Sequence, residues 1–224
     1  MIPLKDSIPT RTVPFVTISL IAVNCVLFIV ELLQGEHLMS FVEAFGAIPY
    51  EVTTGVDTEP LIFFPVRLTV ISSMFLHGGW SHLLGNMLYL WIFGNNIEDR
   101  IGHCRFILFY LIVGIAASVA QIAVSPFSTV PLIGASGAIS GILGAYLLIY
   151  PRAKVLTLVP LVVYFRVVRL PAFVVLGIWI VLQIVNGFVS LSYTAQGGVA
   201  FFAHIGGFIA GLALIKPFHV GRKR

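Results

Sequence analysis

Apolar residues run along this chain in long stretches, with neither the alternation of a half-buried strand nor the one-sided stripe of a soluble helix. Six such stretches fall at roughly 13–33, 81–97, 103–123, 136–150, 171–190 and 200–217. A helix needs about 20 apolar residues to cross the hydrocarbon core, and fewer where other helices surround it. Each stretch is therefore expected to be a transmembrane helix. A seventh run, Val155 to Val168, contains Pro160 and ends among Arg166 and Arg169, so it reads as an interfacial connection. Between the first two spans lies the one long loop, about 34–80, whose apolar pieces FVEAFGAIPYEV and LIFFPVRLTVISSMFLHGG are broken by Pro49, Pro60 and Pro65. Long ordered loops are often functional, and this one is expected to rest partly in the outer interface.

Composition agrees with the pattern. The 224 residues are 58% hydrophobic and only 10% charged, where a soluble domain carries about a quarter charged residues. A single core of this length could not hide so much apolar surface. The expected class is an all-α polytopic membrane protein of six spans.

Charge orients it. Lys5 and Arg11 precede the first span, Arg100 and Arg105 lie between the second and third, Arg152, Lys154, Arg166 and Arg169 between the fourth and fifth, and Lys216, Arg222, Lys223 and Arg224 at the end. The opposite connections hold Arg67 alone, against Glu36, Glu43, Glu51, Asp57 and Glu59. By the positive-inside rule both termini are cytoplasmic. The expected organisation is a cytoplasmic segment 1–12, a membrane domain 13–217 and a basic cytoplasmic tail 218–224. A net charge of +4 alone would fit a nucleic-acid binder, but the basic residues form no stripe or aromatic-interleaved patch, and nucleic acid is not expected as a partner. Cys25 and Cys104 have no metal-type spacing and read as isolated buried thiols. A cleavable signal peptide is not expected, because the first apolar run is long and no A-x-A-like site follows it. Short loops lean towards a bacterial inner membrane.

Polar side chains inside spans are costly and mark function by default. Ser136, in PLIGASGAISG, opens span four. His82 and Asn86 are four residues apart in span two, so they share a helix face about 6 Å apart along the axis. His204 sits a turn into span six. Spans two, four and six all enter from the external side, so these groups meet at one depth. Singly, each has a plain structural explanation: close packing for Ser136, interhelical hydrogen bonds for His204 and Asn86, an interfacial position for His82. Together they describe chemistry. Histidine is the usual base for a serine nucleophile, and an oxyanion needs preorganised donors, which His82, Asn86 and the amides at the start of span four can supply. No carboxylate shares this depth, so a Ser–His dyad is the most the residues support. Small residues, Gly137, Gly141 and Ala145 in span four and Gly207 and Gly211 in span six, would let the helices approach closely. His77 has an even claim to loop structure or to the site. A metal centre of His77, His82 and His204 lacks any accompanying acid or thiol, and no cofactor is expected.

The sequence resembles the rhomboid family of intramembrane serine proteases. GASG at 134–137 is similar to the family's nucleophile motif, AHIGG at 203–207 to its base motif and HLLGN at 82–86 to its H-x-x-x-N element. The resemblance implies Ser136 as nucleophile, His204 as base, His82 and Asn86 as oxyanion support, and supporting places for Gly134 and for His77 in FLHGGWSH. Glu98 and Arg100 in GNNIEDRIG look like the turn that follows span two in the family. The implied fold is a six-helix rhomboid-like bundle whose site opens to the external side. The implied activity is cleavage of membrane-anchored proteins in or near their transmembrane segment, with those proteins and membrane lipids as partners. One position departs: where family members often carry an aromatic on the base, one turn after the nucleophile, this chain has Ser140. His204 is then held by Phe201 or Phe202, by something from span five, or less firmly. A client-binding relative without activity would lack the nucleophile or the base. A transporter would want repeat symmetry and polar groups at the bilayer midplane, where these spans are apolar.

Overall fold

The long apolar runs are helices. The computed structural model describes residues 1–56, 64–160, 164–192 and 198–218. Asp57, Glu59 and Pro60 of the long loop, residues 161–163, residues 193–197 and residues 219–224 of the basic tail lie outside the described residues. After a strand β1 (Ile2–Asp6), helix α1 (Phe15–Leu33) leads into three short helices, α2 (Leu38–Phe45), α3 (Pro49–Thr54) and α4 (Thr69–Ser72). Then come α5 (Trp80–Tyr89), a π-helical turn (Leu90–Gly94) and α6 (Asn95–Ile101), followed by α7 (His103–Val124) and α8 (Ser136–Ile149). Strands β2 (Lys154–Pro160) and β3 (Phe165–Pro171) precede α9 (Ala172–Ser190) and α10 (Phe201–Phe218). Helices α1, α7, α9 and α10 are long and apolar enough to cross a membrane, so this is a multi-pass membrane protein.

The membrane-crossing part is entirely helical, but the chain is not helical throughout. The run expected as an interfacial connection is an antiparallel hairpin, and β1 adds to it in the order β1-β2-β3. β-branched residues and the proline at each strand's far end disfavour a helix there. Asp6 carries β1 to the bundle: its Oδ2 accepts from the Tyr146 hydroxyl at 2.6 Å and from Asn96 Nδ2 at 2.7 Å. Burial raises the Asp6 carboxyl above its usual value, against the lowering effect of those bonds. Of the two thiols expected to be buried, Cys25 is half-buried and Cys104 exposed; both are free. A position at the start of α7, beside the charged turn, explains the exposure of Cys104.

Helix α8 is the axis of the molecule. Every residue from Gly137 to Tyr146 is buried. Its 14 residues span only about 21 Å, less than the roughly 30 Å of a hydrocarbon core. That is tolerable because its neighbours are helices rather than lipid. Small residues admit α7 and α10 at backbone distance. A Cβ on Gly207 would collide with the Gly137 carbonyl, one on Gly211 with the Gly141 carbonyl and one on Gly144 with the Phe208 carbonyl, while one on Gly137 would sit 2.7 Å from Cβ of Ala117 on α7.

The free amides at helix starts take side chains from other helices, since lipid offers no hydrogen bonds. Glu98, fully buried on α6, accepts from the amides of Val16 and Thr17 at 2.9 and 2.7 Å and from the Thr17 hydroxyl at 2.6 Å; His103 Nδ1 lies 2.6 Å away. Glu98→Ala would strand all three donors. It is expected to cost about 3 kcal/mol or more, read as a fall in the thermal unfolding midpoint in detergent. Glu98→Gln, which keeps one acceptor oxygen, should lose less.

Candidate active site

Helices α5, α8 and α10 begin at the same end of the bundle, where α7 and α9 finish. A cavity of about 1100 Å³ opens there, lined by Ser136, His204, His82 and Asn86 among others. The Asp6–Tyr146 contact lies at the other end of α8, four residues before Tyr150. The residues expected at one depth are therefore at one end of the bundle.

Ser136 is the first residue of α8 and His204 the fourth of α10. Ser136 Oγ lies 2.8 Å from His204 Nε2. The glycine contacts one turn below, Gly207 on the Gly137 carbonyl, hold the two helices close enough for that bond. The other imidazole nitrogen, Nδ1, lies 2.8 Å from Oε1 of Gln183 on α9. The indole of Trp179, one turn earlier on the same face of α9, stacks on the His204 ring with centroids 5.8 Å apart and planes inclined by 37°. Gln121, near the end of α7, accepts the amides of Phe202 and Ala203 at 3.1 and 3.2 Å, so the start of α10, which carries His204, is capped and held beside Ser136.

Gly134 explains itself. Its φ of +119° lies where glycine is favoured, and a Cβ there would sit 2.7 Å from Cε1 and Nε2 of His82. Only a bare Cα lets the imidazole lie against the chain just before Ser136. The Gly78 amide donates to His82 Nδ1 at 3.4 Å, which leaves the proton on Nε2. Asn86 Nδ2 is buried without a hydrogen-bond partner. An orphaned donor in this cavity is costly in the resting protein and suited to a charge that arises only during reaction.

His77 is not among the residues that line the cavity. Its ring meets that of His82 edge-on at 5.1 Å, and its amide donates to both carboxylate oxygens of Glu31 at 3.1 Å. Burial first, and the nearby His82 second, push the His77 imidazole down to about 4. It stays neutral at neutral pH and braces His82 from behind.

A family model described as the rhomboid domain matches residues 66–220. The chain belongs to the rhomboid family. Among similar proteins, "Rhomboid protease GluP" of Bacillus subtilis is 34% identical over 139 residues, covering 62% of this chain and 24% of the relative. "RHOMBOID-like protein 4" of Arabidopsis thaliana is 35% identical over 186 residues, covering 78% and 41%. "Rhomboid-like protein 11, chloroplastic", also of Arabidopsis thaliana, is 29% identical over 160 residues, covering 68% and 52%. The chain spans about a quarter to a half of the length of the first three curated relatives it matches.

In this rhomboid the aromatic on His204 comes from α9. Ser140, at the departing position, donates its hydroxyl to the Ser136 carbonyl at 2.6 Å and leaves the ring face to Trp179. Of the alternatives open in the sequence, the one drawn from span five is realised; Phe201 and Phe202 make no ring contact with His204. Two residues went unread. Gln183 and Gln121 are uncharged amides in otherwise apolar spans, the kind of position that marks function by default, and they were legible on that ground alone.

Proposed function

We propose that this rhomboid is an intramembrane serine endopeptidase acting through Ser136 and His204. The observation that carries the reading is the 2.8 Å contact between Ser136 Oγ and His204 Nε2 inside a cavity large enough for an extended peptide segment. Ser136 Oγ attacks the scissile carbonyl carbon as its proton passes to His204 Nε2. The C–N bond then breaks, and His204 returns that proton to the departing amine, leaving an acyl-enzyme. A water molecule, deprotonated by the same nitrogen, cleaves the ester. The oxyanion forms beside His82 Nε2–H, Asn86 Nδ2 and the first amides of α8, which have no intrahelical acceptor.

The substrates are membrane-anchored proteins, cut where the segment unwinds, because an intact helix keeps its carbonyls bonded and shielded. Six spans, with α8 the short one and α5–α6 joined through their π-helical turn into a single crossing, put both termini in the cytoplasm and the cavity on the external face. The basic residues beside β1 and the hairpin, at the end away from Ser136, support that orientation. Short loops support a bacterial inner membrane.

The test is cleavage of a single-span substrate by purified protein in liposomes, with a fluorophosphonate probe reporting the nucleophile. His82→Ala and Asn86→Ala are expected to lower kcat by roughly 10²- to 10³-fold each, the scale for one oxyanion donor, with KM nearly unchanged. Full activity in both variants would remove these side chains from the oxyanion site.

A further inference from the structure

The base of this enzyme is positioned by a helix other than the two that carry the dyad. Of the two His204 ring nitrogens, Nε2 faces Ser136 and Nδ1 faces Gln183, each at 2.8 Å. In a neutral imidazole one nitrogen donates and the other accepts, and the partner of one settles the state of the other. The Gln183 amide is oriented by its own helix: its Nε2 donates to the Trp179 carbonyl at 3.5 Å, turning Oε1 towards His204. An oxygen against Nδ1 requires a proton there and leaves the lone pair on Nε2. The reverse tautomer would point N–H at Ser136 Oγ and take no proton from it.

We propose that Gln183 is a positioning residue that selects the Nδ1–H tautomer of His204 and so completes, with a neutral amide, a Ser136–His204–Gln183 relay. Three features support it. No carboxylate lines the cavity among the described residues. Ser140 spends its hydroxyl on the Ser136 carbonyl and gives the base nothing. Trp179 and Gln183, at i and i+4 on α9, grip the ring by its face and its edge, which fixes both angle and tautomer. An amide has no charge with which to stabilise the imidazolium, so its share is smaller than the roughly 10⁴-fold lost when a triad acid is replaced.

The effect on turnover rests on the peptidase reading above; the tautomer does not. Histidine-selective ¹⁵N labelling, with the His204 signals assigned by difference against His204→Ala, reads the tautomer in the resting protein. The expected result is an Nδ1-protonated neutral ring in the wild type and a mixed or Nε2-protonated ring in Gln183→Met, which keeps the length and loses the acceptor. In parallel, Gln183→Met should lower kcat roughly 10- to 100-fold with little change in KM. Gln183→Glu keeps the acceptor and adds a negative charge, so it should retain more activity and move the acid limb of kcat/KM to higher pH, by about one unit. Among the described residues, the other titratable side chains lining the cavity are His82 and Tyr89 on α5, and both are unchanged in these variants; Gln121, Ser136, Ser140 and Trp179, which line the cavity from α7, α8 and α9, carry no charge.

An Nε2-protonated ring in the wild type overturns the proposal, as does a Gln183→Met enzyme with full kcat and an unaltered tautomer. If Gln183→Met does not fold, an acid limb that stays in place in Gln183→Glu overturns it. A wild-type protein with the Nδ1–H ring that neither cleaves nor labels leaves the positioning role standing and sinks the peptidase reading.

Discussion

Ser136→Ala is expected to lower cleavage of a single-span substrate by roughly four to six orders of magnitude, below detection in a liposome assay, and to abolish fluorophosphonate labelling. That scale is what loss of a serine nucleophile costs when the rest of the site survives. Survival is expected here, because the Ser136 side chain holds no part of the fold. Its hydroxyl has His204 as partner, and the carbonyl that accepts from Ser140 belongs to the backbone. The unfolding midpoint should therefore stay near the wild-type value. His204→Ala should lose cleavage to a similar degree, since knocking out nucleophile or base alone costs about as much as removing both. Cutting that persists in Ser136→Ala would show that another group attacks the carbonyl, and the dyad mechanism would fall.

The second large effect is steric. Gly207→Val is expected to destabilise the protein by about 3 kcal/mol, at the upper end for overpacked cores, and to remove activity with it. The added Cβ would collide with the Gly137 carbonyl and lie 3.2 Å from Cβ of Ala117. The first obstacle is backbone, which has no rotamer through which to give way, so α10 must move off α8. That movement carries His204 away from Ser136, because Gly137 follows Ser136 directly and Gly207 lies one turn from His204. Gly177→Ala is the control: a Cβ at this α9 position meets nothing within 4 Å, and alanine favours a helix over glycine by about 1 kcal/mol. The midpoint should not fall there. A Gly207→Val protein with unchanged midpoint and labelling would mean that the helices do not touch at this level.

Much of this site was readable before any coordinates. His82, Asn86, Ser136 and His204 are polar residues in segments that otherwise exclude polarity, and the parity of the spans brings them to one end of the bundle. The glycines at 137, 141, 207 and 211 were readable as a small-residue ridge, and they mate as Gly137 with Gly207 and Gly141 with Gly211. That Gln183 and Trp179 turn towards His204, and that Gln121 caps its helix, was not. Glu98 stood out as part of a family-like turn, but its role as the cap of α1 depends on a residue 81 positions away. The hairpin hid behind an apolar run whose hydropathy is the same for a strand as for a short helix, and the strand that pairs with it, β1, lies far earlier in the sequence.

Hydropathy and charge are sums over neighbours in the chain, so the sequence by itself determined the multi-pass class, the positions of the long helices and the cluster of reactive groups. Rotation of one helix about its axis against another leaves those sums unchanged. Only the tertiary structure decided that α9 turns Gln183 and Trp179 towards His204 rather than towards lipid, that Ser140 bonds to its own helix, and that Gln121 and Glu98 cap helices they do not belong to. Each of these is a choice among faces of similar apolar character, settled by which backbones glycine allows to touch and by the need of every buried donor for an acceptor where no water or lipid supplies one.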